Sequence, residues 1–218
     1  MIVVTGAAGF IGSALLGELE RMGYGDLIAL DDFSVQAKSA NCQNKRITQF
    51  VERSEFFGWL SDNSKRIQFI FHIGARTRTD EFDEAVLQLL NVEYSQKIWQ
   101  ACADNNIPLI YASSAATYGD GTQGFSDEPA SLDSLRPLNP YGNSKHRFDL
   151  WVMEQKKTPP FWAGFKFFNV FGPRQRPDHE YAAVLPKWIW LAMQGQAIDV
   201  YGDGSASRDF TYVDTVLD

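Results

Sequence analysis

Apolar residues in this chain fall in short runs of strand length, separated by stretches where they recur at helical spacing. The runs lie at 2–5, 27–31, 67–72, 107–113 and 161–168. The run at 67–72 is apolar nearly throughout, as expected of a strand covered on both faces. Helical periodicity occupies 10–22, 91–105 and 141–156, the last entered from Pro140. Strand–helix alternation of this kind predicts an α/β fold with a doubly wound parallel sheet of Rossmann type.

Two segments break the rhythm. Residues 122–140 are polar and proline-bearing, a loop long enough to expect a function or disorder there. Past Gly172 the texture turns to Pro, Arg, Tyr and Trp, and the sequence stops at Val213-Asp214-Thr215-Val216-Leu217-Asp218, which reads as the opening turn of a helix. The expected division is therefore a nucleotide-binding domain over 1–168 and a partial, truncated substrate-binding region over 169–218.

Composition narrows the function. Hydrophobic residues are 44% of 218, enough for a real core. The net charge of −7 opposes a phosphate backbone, so no nucleic-acid partner is expected, although a local basic pocket for a small phosphorylated ligand is allowed. Cys42 and Cys102 are far apart and lack metal-ligand spacing. They read as free thiols suited to a reducing cytoplasm, and no metal site is expected. The amino terminus reads as a buried strand rather than a signal peptide. No apolar run approaches the ~20 residues of a membrane span, so no membrane partner is expected.

Chemistry enters at the first strand–helix junction. Thr5-Gly6-Ala7-Ala8-Gly9-Phe10-Ile11-Gly12 puts three glycines there. Gly6 permits a tight turn, Gly9 lets the backbone approach a pyrophosphate, and Gly12 lets helix and sheet pack closely. The N–H groups at the helix start then face the phosphates. Asp31, ending the second strand, is placed to accept hydrogen bonds from an adenosine ribose, which favours NAD. Lys38 and Arg53 are cations able to neutralise the 2′-phosphate of NADP, or are simply solvated, so either cofactor remains open.

Tyr141-Gly142-Asn143-Ser144-Lys145 places a phenol and an ammonium one helical turn apart on one face. A free phenol is a poor base at neutral pH; a nearby ammonium and a positive nicotinamide ring favour the phenolate. Ser113 and Ser114 close the 107–113 strand at the carboxyl edge, where α/β sites lie. Ser114 is the candidate to hold the reacting oxygen, with plain strand-end capping as the alternative. Trp99 and Trp151, on the helices, read as core rather than contact surface.

Together these residues resemble the extended short-chain dehydrogenase/reductase superfamily. Four stretches are similar to ADP-glycero-manno-heptose 6-epimerases: Phe71-His72-Ile73-Gly74-Ala75, the run from Ala112 to Gly119, the run from Pro137 to Lys145, and Phe167-Phe168-Asn169-Val170-Phe171-Gly172-Pro173. That resemblance implies a cofactor lined by Phe10, Ile11, Asp31, Asp32, Lys38, Arg53, Ile73, Gly74, Ala75, Arg76, Thr77, Asn91, Lys145 and Val170. It implies catalysis by Ser114, Tyr141 and Lys145, with Ser114, Asn169, Tyr201 and Arg208 on a nucleotide-diphosphate sugar. It also implies a homo-oligomer.

One departure stands out. Heptose epimerases carry a lysine soon after the Gly-Pro matching Gly172-Pro173; here Asp178 falls there. The stretches from Gly172 to Pro177, from Tyr181 to Trp188 and from Tyr201 to Phe210 are instead similar to UDP-N-acetylhexosamine 4-epimerases. The expected activity is an NAD(P)-dependent epimerisation through a transient ketone, of the heptose 6-epimerase kind. A UDP-hexose 4-epimerase and a cofactor-binding protein without turnover are the alternatives. A 4,6-dehydratase is disfavoured, because Ala115 and Ala116 stand where its acidic pair would be.

Overall fold

A computed structural model of the chain describes residues 1–34, 40–78, 81–175, 183–200, 202–205 and 207–218. The chain forms two compact units, Met1–Phe167 and Phe168–Asp218.

The first unit is built on six parallel strands. β1 (Ile2–Thr5) is fully buried and turns directly into α1 (Phe10–Arg21), which lays Leu15, Leu16 and Leu19 against the sheet. β2 (Leu27–Asp31) is buried along its length. It is followed by β3 (Gln49–Glu52) and α2 (Phe56–Asn63). Next come β4 (Phe69–His72), a long helix, β5 (Leu109–Ser114), α5 (Pro140–Met153) and β6 (Trp162–Phe167). The long helix starts as α3 (Glu84–Leu87), passes through a π turn over Gln88–Glu93 and continues as α4 (Tyr94–Asn105).

The strand order is β3-β2-β1-β4-β5-β6, every neighbouring pair parallel. The order reverses between β1 and β4, so their carboxyl ends face chain departing in opposite directions. In such sheets this crevice is where ligands bind. Thr5 and His72 end the two strands in register, level with each other.

The doubly wound parallel sheet expected from the apolar pattern is present, with two elements the pattern did not show. β3 is an edge strand in which only Val51 is buried and Phe50 is exposed, so its apolar signal is one residue long. α2 is short and interrupted by Gly58. The helix expected at 91–105 begins earlier, at Glu84, where the Asp83 carboxylate accepts from the N–H groups of Ala85 and Val86 at 3.0 and 3.3 Å. The 122–140 loop contains a 3₁₀ turn over Pro129–Ser134. Trp99 is core: it lies between helix and sheet, edge-on to Trp162 at 5.0 Å, with Trp151 packed beside it. Cys42 and Cys102 are buried free thiols.

The second unit contains β7 (Val170–Phe171), α6 (Val184–Met193), β8 (Thr211–Tyr212) and α7 (Val213–Leu217). β7 and β8 pair in parallel, with Phe171 edge-on to Tyr212 at 5.3 Å. Among the described residues no helix is long and apolar enough to cross a membrane.

Candidate active site

The turn between β1 and α1 is shaped by what its glycines lack. Gly6 has φ +65°, and a Cβ there would lie 2.6 Å from the Gly74 Cα, so the carboxyl ends of β1 and β4 touch backbone to backbone. A Cβ on Gly12 would sit 2.2 Å from the Gly6 carbonyl oxygen. Gly9 caps α1 without any side-chain bond, and the first turn of the helix carries no acid. Phe10 and Ile11, partly exposed, begin that turn. The result is a bare, positively polarised helix start at the switch point, a cradle that fits a dinucleotide pyrophosphate.

The side of this cradle next to the end of β2 is acidic. The buried Asp31 carboxylate accepts from the Ala8 N–H at 2.9 Å and the Asp32 N–H at 2.8 Å, which ties the glycine turn to the end of β2. Arg53 is ion-paired to Asp32 at 3.1 Å. Lys38 lies outside the described residues.

Behind the crevice a chain of buried hydrogen bonds links the turn to α5. The Gly74 N–H donates to the Thr5 hydroxyl at 2.9 Å, and Thr5 Oγ1 lies 2.8 Å from His72 Nδ1. His72 Nε2 lies 2.9 Å from the Ser95 hydroxyl, which donates to the Asn91 carbonyl at 2.6 Å. Because Ser95 uses its proton on Asn91, His72 must donate from Nε2 and accept at Nδ1 from Thr5. One proton arrangement therefore satisfies the whole chain. The Asn91 side chain brackets Arg76, accepting from its N–H at 2.7 Å and donating to its carbonyl at 3.0 Å, and also donates to Ser144 on α5 at 2.9 Å. Asn91 is fully buried. It thus shapes the segment from Ile73 to Thr77 that borders the crevice instead of presenting its own side chain there. Arg76 is further tied to Glu81 by an ion pair at 2.8 Å.

Burial and the nearby Lys145 charge push His72 down to about 3. The folded chain keeps this imidazole neutral, while the unfolded chain protonates it near its ordinary 6.5. Stability from this group is complete above pH 6.5 and is lost as pH falls toward 3. Urea unfolding should show a loss of about 2 kcal/mol between pH 7 and pH 5 that His72→Asn abolishes. A wild-type chain equally stable at both, or an unchanged slope in the variant, would contradict a neutral His72.

α5 carries the candidate catalytic pair. Asn139 caps its start, accepting from the Gly142 N–H at 2.7 Å, and Pro140 fits the first helical position. Lys145 is buried and donates to the Ala112 carbonyl of β5 at 2.9 Å. Burial brings its ammonium down to about 8, against the opposing pull of Asp149. Tyr141, one turn back, is partly exposed, with the Ser114 hydroxyl near enough to act on its phenol as a hydrogen-bond partner. Burial raises the phenol above its ordinary value, and the Ser114 bond lowers it. The Lys145 ammonium spends a hydrogen bond on the Ala112 carbonyl of β5. Ser114 plays the capping part considered for it. It caps the 3₁₀ turn Ala115–Tyr118 by accepting from the Ala116 N–H at 3.1 Å, which leaves its proton for Tyr141. Ser113, pointing to the other face, donates to Asp149 at 2.7 Å.

The first unit thus brings together Gly6, Gly9, Gly12, Asp31, Asp32, Arg53, the 73–77 segment, Ser114, Tyr141 and Lys145 along one sheet edge. Asn169, Val170 and Arg208 belong to the second unit. There the Asn169 amide donates to the Asp209 carbonyl at 2.8 Å, and Arg208 donates to the Ser207 carbonyl at 2.7 Å. Tyr201 and Asp178 lie outside the described residues. His72, Ser95, Ser144, Asp149 and Lys166 were not foreseen. Their one trace in the sequence is a polar residue inside an otherwise apolar strand or helix face.

Comparison with known proteins agrees with this geometry. The profile of the NAD dependent epimerase/dehydratase family matches residues 2–218. The chain is 37% identical over 229 aligned positions to an ADP-L-glycero-D-manno-heptose-6-epimerase of Fusobacterium nucleatum, covering 100% of this chain and 69% of that protein. Among solved structures it is similar to a UDP-N-acetylglucosamine 4-epimerase from Methanobrevibacter ruminantium M1 in complex with UDP-N-acetylmuramic acid. That TM-score is 0.84, at 28% identity, covering 99% of this chain and 70% of the other. It is also similar to a UDP-glucuronic acid 4-epimerase from Bacillus cereus in complex with UDP-glucuronic acid and NAD, with a TM-score of 0.78, 28% identity and coverage of 99% and 70%.

Proposed function

The chain belongs to the NAD-dependent epimerase/dehydratase family, and from that premise we propose that it is a nucleotide-sugar epimerase acting by transient oxidation of one sugar carbon. The observation that carries the reading is Tyr141 on α5, with Ser114 acting on its phenol and a buried Lys145 one helical turn away, at the carboxyl edge of the sheet that also holds the glycine cradle.

Gly6, Gly9 and Gly12 with the start of α1 would hold the cofactor pyrophosphate, Asp31 and Asp32 the adenosine ribose, and Lys145 the nicotinamide ribose. The cofactor supplies reversible hydride uptake and is regenerated within each turnover. Ser114 would position the reacting sugar oxygen, and Tyr141 would take its proton as the carbonyl forms and give a proton back to that oxygen once the carbonyl has turned its other face to the cofactor. The acidic adenosine end, where Asp32 already neutralises Arg53, favours NAD over NADP. Asn169 and Arg208 are the positions assigned to the substrate diphosphate.

The heptose relative at 37% identity favours an ADP-heptose inverted at C6. A second reading, a UDP-hexose or UDP-N-acetylhexosamine 4-epimerase, is favoured by the structural likeness to the Methanobrevibacter enzyme and needs only Tyr141 as acid and base. Incubation of the protein and NAD, or NADP, with ADP-glycero-manno-heptose and separately with UDP-N-acetylglucosamine distinguishes these, the product being read by NMR. The expected result is inversion at C6 of the heptose with NAD. Inversion at C4 of the UDP sugar selects the second reading. Cofactor binding without either product overturns both in favour of a binding protein without turnover.

A further inference from the structure

Four residues beyond Lys145, on the same face of α5, the carboxylate of Asp149 is buried. Its Oδ2 accepts from Ser113 Oγ at 2.7 Å and from Lys166 Nζ at 2.6 Å, and its Oδ1 accepts from the Tyr111 hydroxyl at 3.3 Å. Lys166, on β6, pairs in register with Ser113 on β5 and is itself mostly covered. Its ammonium also donates to the Thr117 hydroxyl at 2.7 Å, and Thr117 donates to the Ser114 carbonyl at 2.8 Å.

Two charges withdrawn from water are a poor source of stability, since apolar residues of similar volume commonly serve as well. Such a pair does impose a single arrangement on the elements it joins. Here they are α5, which carries Tyr141; the turn after β5, which carries Ser114; and β6. We propose that the Asp149–Lys166 pair is a positioning device that fixes the Ser114 turn against α5, so that the serine hydroxyl meets the Tyr141 phenol. This rests on the reading of Ser114 and Tyr141 as the proton-transfer pair. Neither Asp149 nor Lys166 touches the reacting atoms; each acts through Ser114.

A direct effect of charge on the phenol is the competing explanation, and it has a different sign pattern. Among the described residues, the charged and titratable groups around this region include Lys145 and His146 on α5, Tyr111 on β5, Lys166 on β6, His72 on β4, Tyr118 in the turn after β5, and Asp133 and Arg136 ahead of α5. By charge alone, Asp149→Asn lowers the pH at which Tyr141 ionises, and Lys166→Met raises it. By positioning, both raise it, because both release the Ser114 hydrogen bond that favours the phenolate.

The test follows phenolate absorbance during alkaline titration, each variant being read against the same variant carrying Tyr141→Phe. Turnover of whichever sugar proves to be the substrate is measured alongside. Both single variants are expected to shift Tyr141 upward and to lower kcat by about tenfold to a hundredfold, with KM little changed. Lys166→Arg, which keeps charge and donors, should restore most of the loss. Opposite shifts in the two singles overturn the proposal. If a single variant fails to fold, the double variant Asp149→Asn with Lys166→Met, which leaves no unpaired charge, decides. A folded double variant with wild-type ionisation and kcat overturns the proposal, and one that shifts upward supports it. Should the wild-type protein epimerise no sugar, the functional reading falls, while the phenol titration still decides this one.

Discussion

Tyr141→Phe is expected to lower kcat by about 10²–10⁴-fold while leaving NAD affinity nearly unchanged. The substitution deletes one oxygen and keeps the ring. α5 retains its Asn139 cap, and the Ser144 hydroxyl can still donate at 2.7 Å to the backbone carbonyl of residue 141, which the substitution leaves in place. The glycine cradle is on β1 and α1 and does not involve this side chain. What disappears is the group that moves the proton. Ser114 keeps its cap on Ala116 but loses the partner for its own hydrogen. Stopped-flow measurement of turnover at saturating sugar, with tryptophan fluorescence for NAD binding, checks both halves. A variant that turns over within a few-fold of the parent would remove Tyr141 from the mechanism. Weakened NAD binding in proportion would mean that the phenol holds cofactor instead.

Gly12→Ala should act on the opposite side of that division. The added methyl meets the Gly6 carbonyl oxygen at 2.2 Å and the Gly6 carbonyl carbon at 2.8 Å, both backbone atoms that cannot rotate away. Either α1 is pushed off the turn or the turn opens. Strain of this kind costs about 1–3 kcal/mol of stability. The more telling loss is in binding, because the N–H groups at the start of α1 no longer converge on one point. A misplacement of this scale weakens NAD affinity about a hundredfold. Gly17→Ala is the control on the same helix, where the new methyl finds only the flexible end of Lys45 at 3.7 Å. That change should stabilise by about 0.5–1 kcal/mol through helix propensity and leave binding alone. Isothermal titration and thermal melts of the pair separate the two outcomes. Equal NAD affinity in Gly12→Ala and the parent would mean that the cradle is not the cofactor site.

Why some of this was readable in the chain and some was not follows from how far apart the partners lie. β1, the glycine turn and α1 are one continuous stretch, so spacing alone carries their geometry. Tyr141 and Lys145 are likewise fixed by a single helix. β3 escaped because an edge strand needs to bury only Val51, and one residue makes no pattern. The His72 chain escaped for another reason. Thr5, His72, Ser95 and Asn91 come from three elements, and each polar residue looks like an accident until the sheet order brings β4 beside β1. Asp149 and Lys166 are the same case, separated by 17 positions in sequence and joined at 2.6 Å. Asn91 shows a subtler gap: the resemblance set it among the residues expected to line a cofactor, and nothing in the sequence showed that its amide would be occupied by Arg76 and Ser144.

The π turn at Gln88–Glu93 sets a limit on how this chain can vary in length. A helix that accommodates a wider turn holds a surplus residue, and loss of one position ahead of Asn91, at Gln88, Leu89 or Leu90, would let it relax into a regular α-helix without unfolding. The residues on one side of the deletion would then swing by roughly 100° about the axis relative to the other. Asn91 and Ser95 would leave Arg76, Ser144 and His72 together, although every amino acid that makes those bonds were still encoded. Drift by insertion or deletion is therefore barred in this helix for a reason no substitution table records, while the loop at 122–140 carries no such embargo.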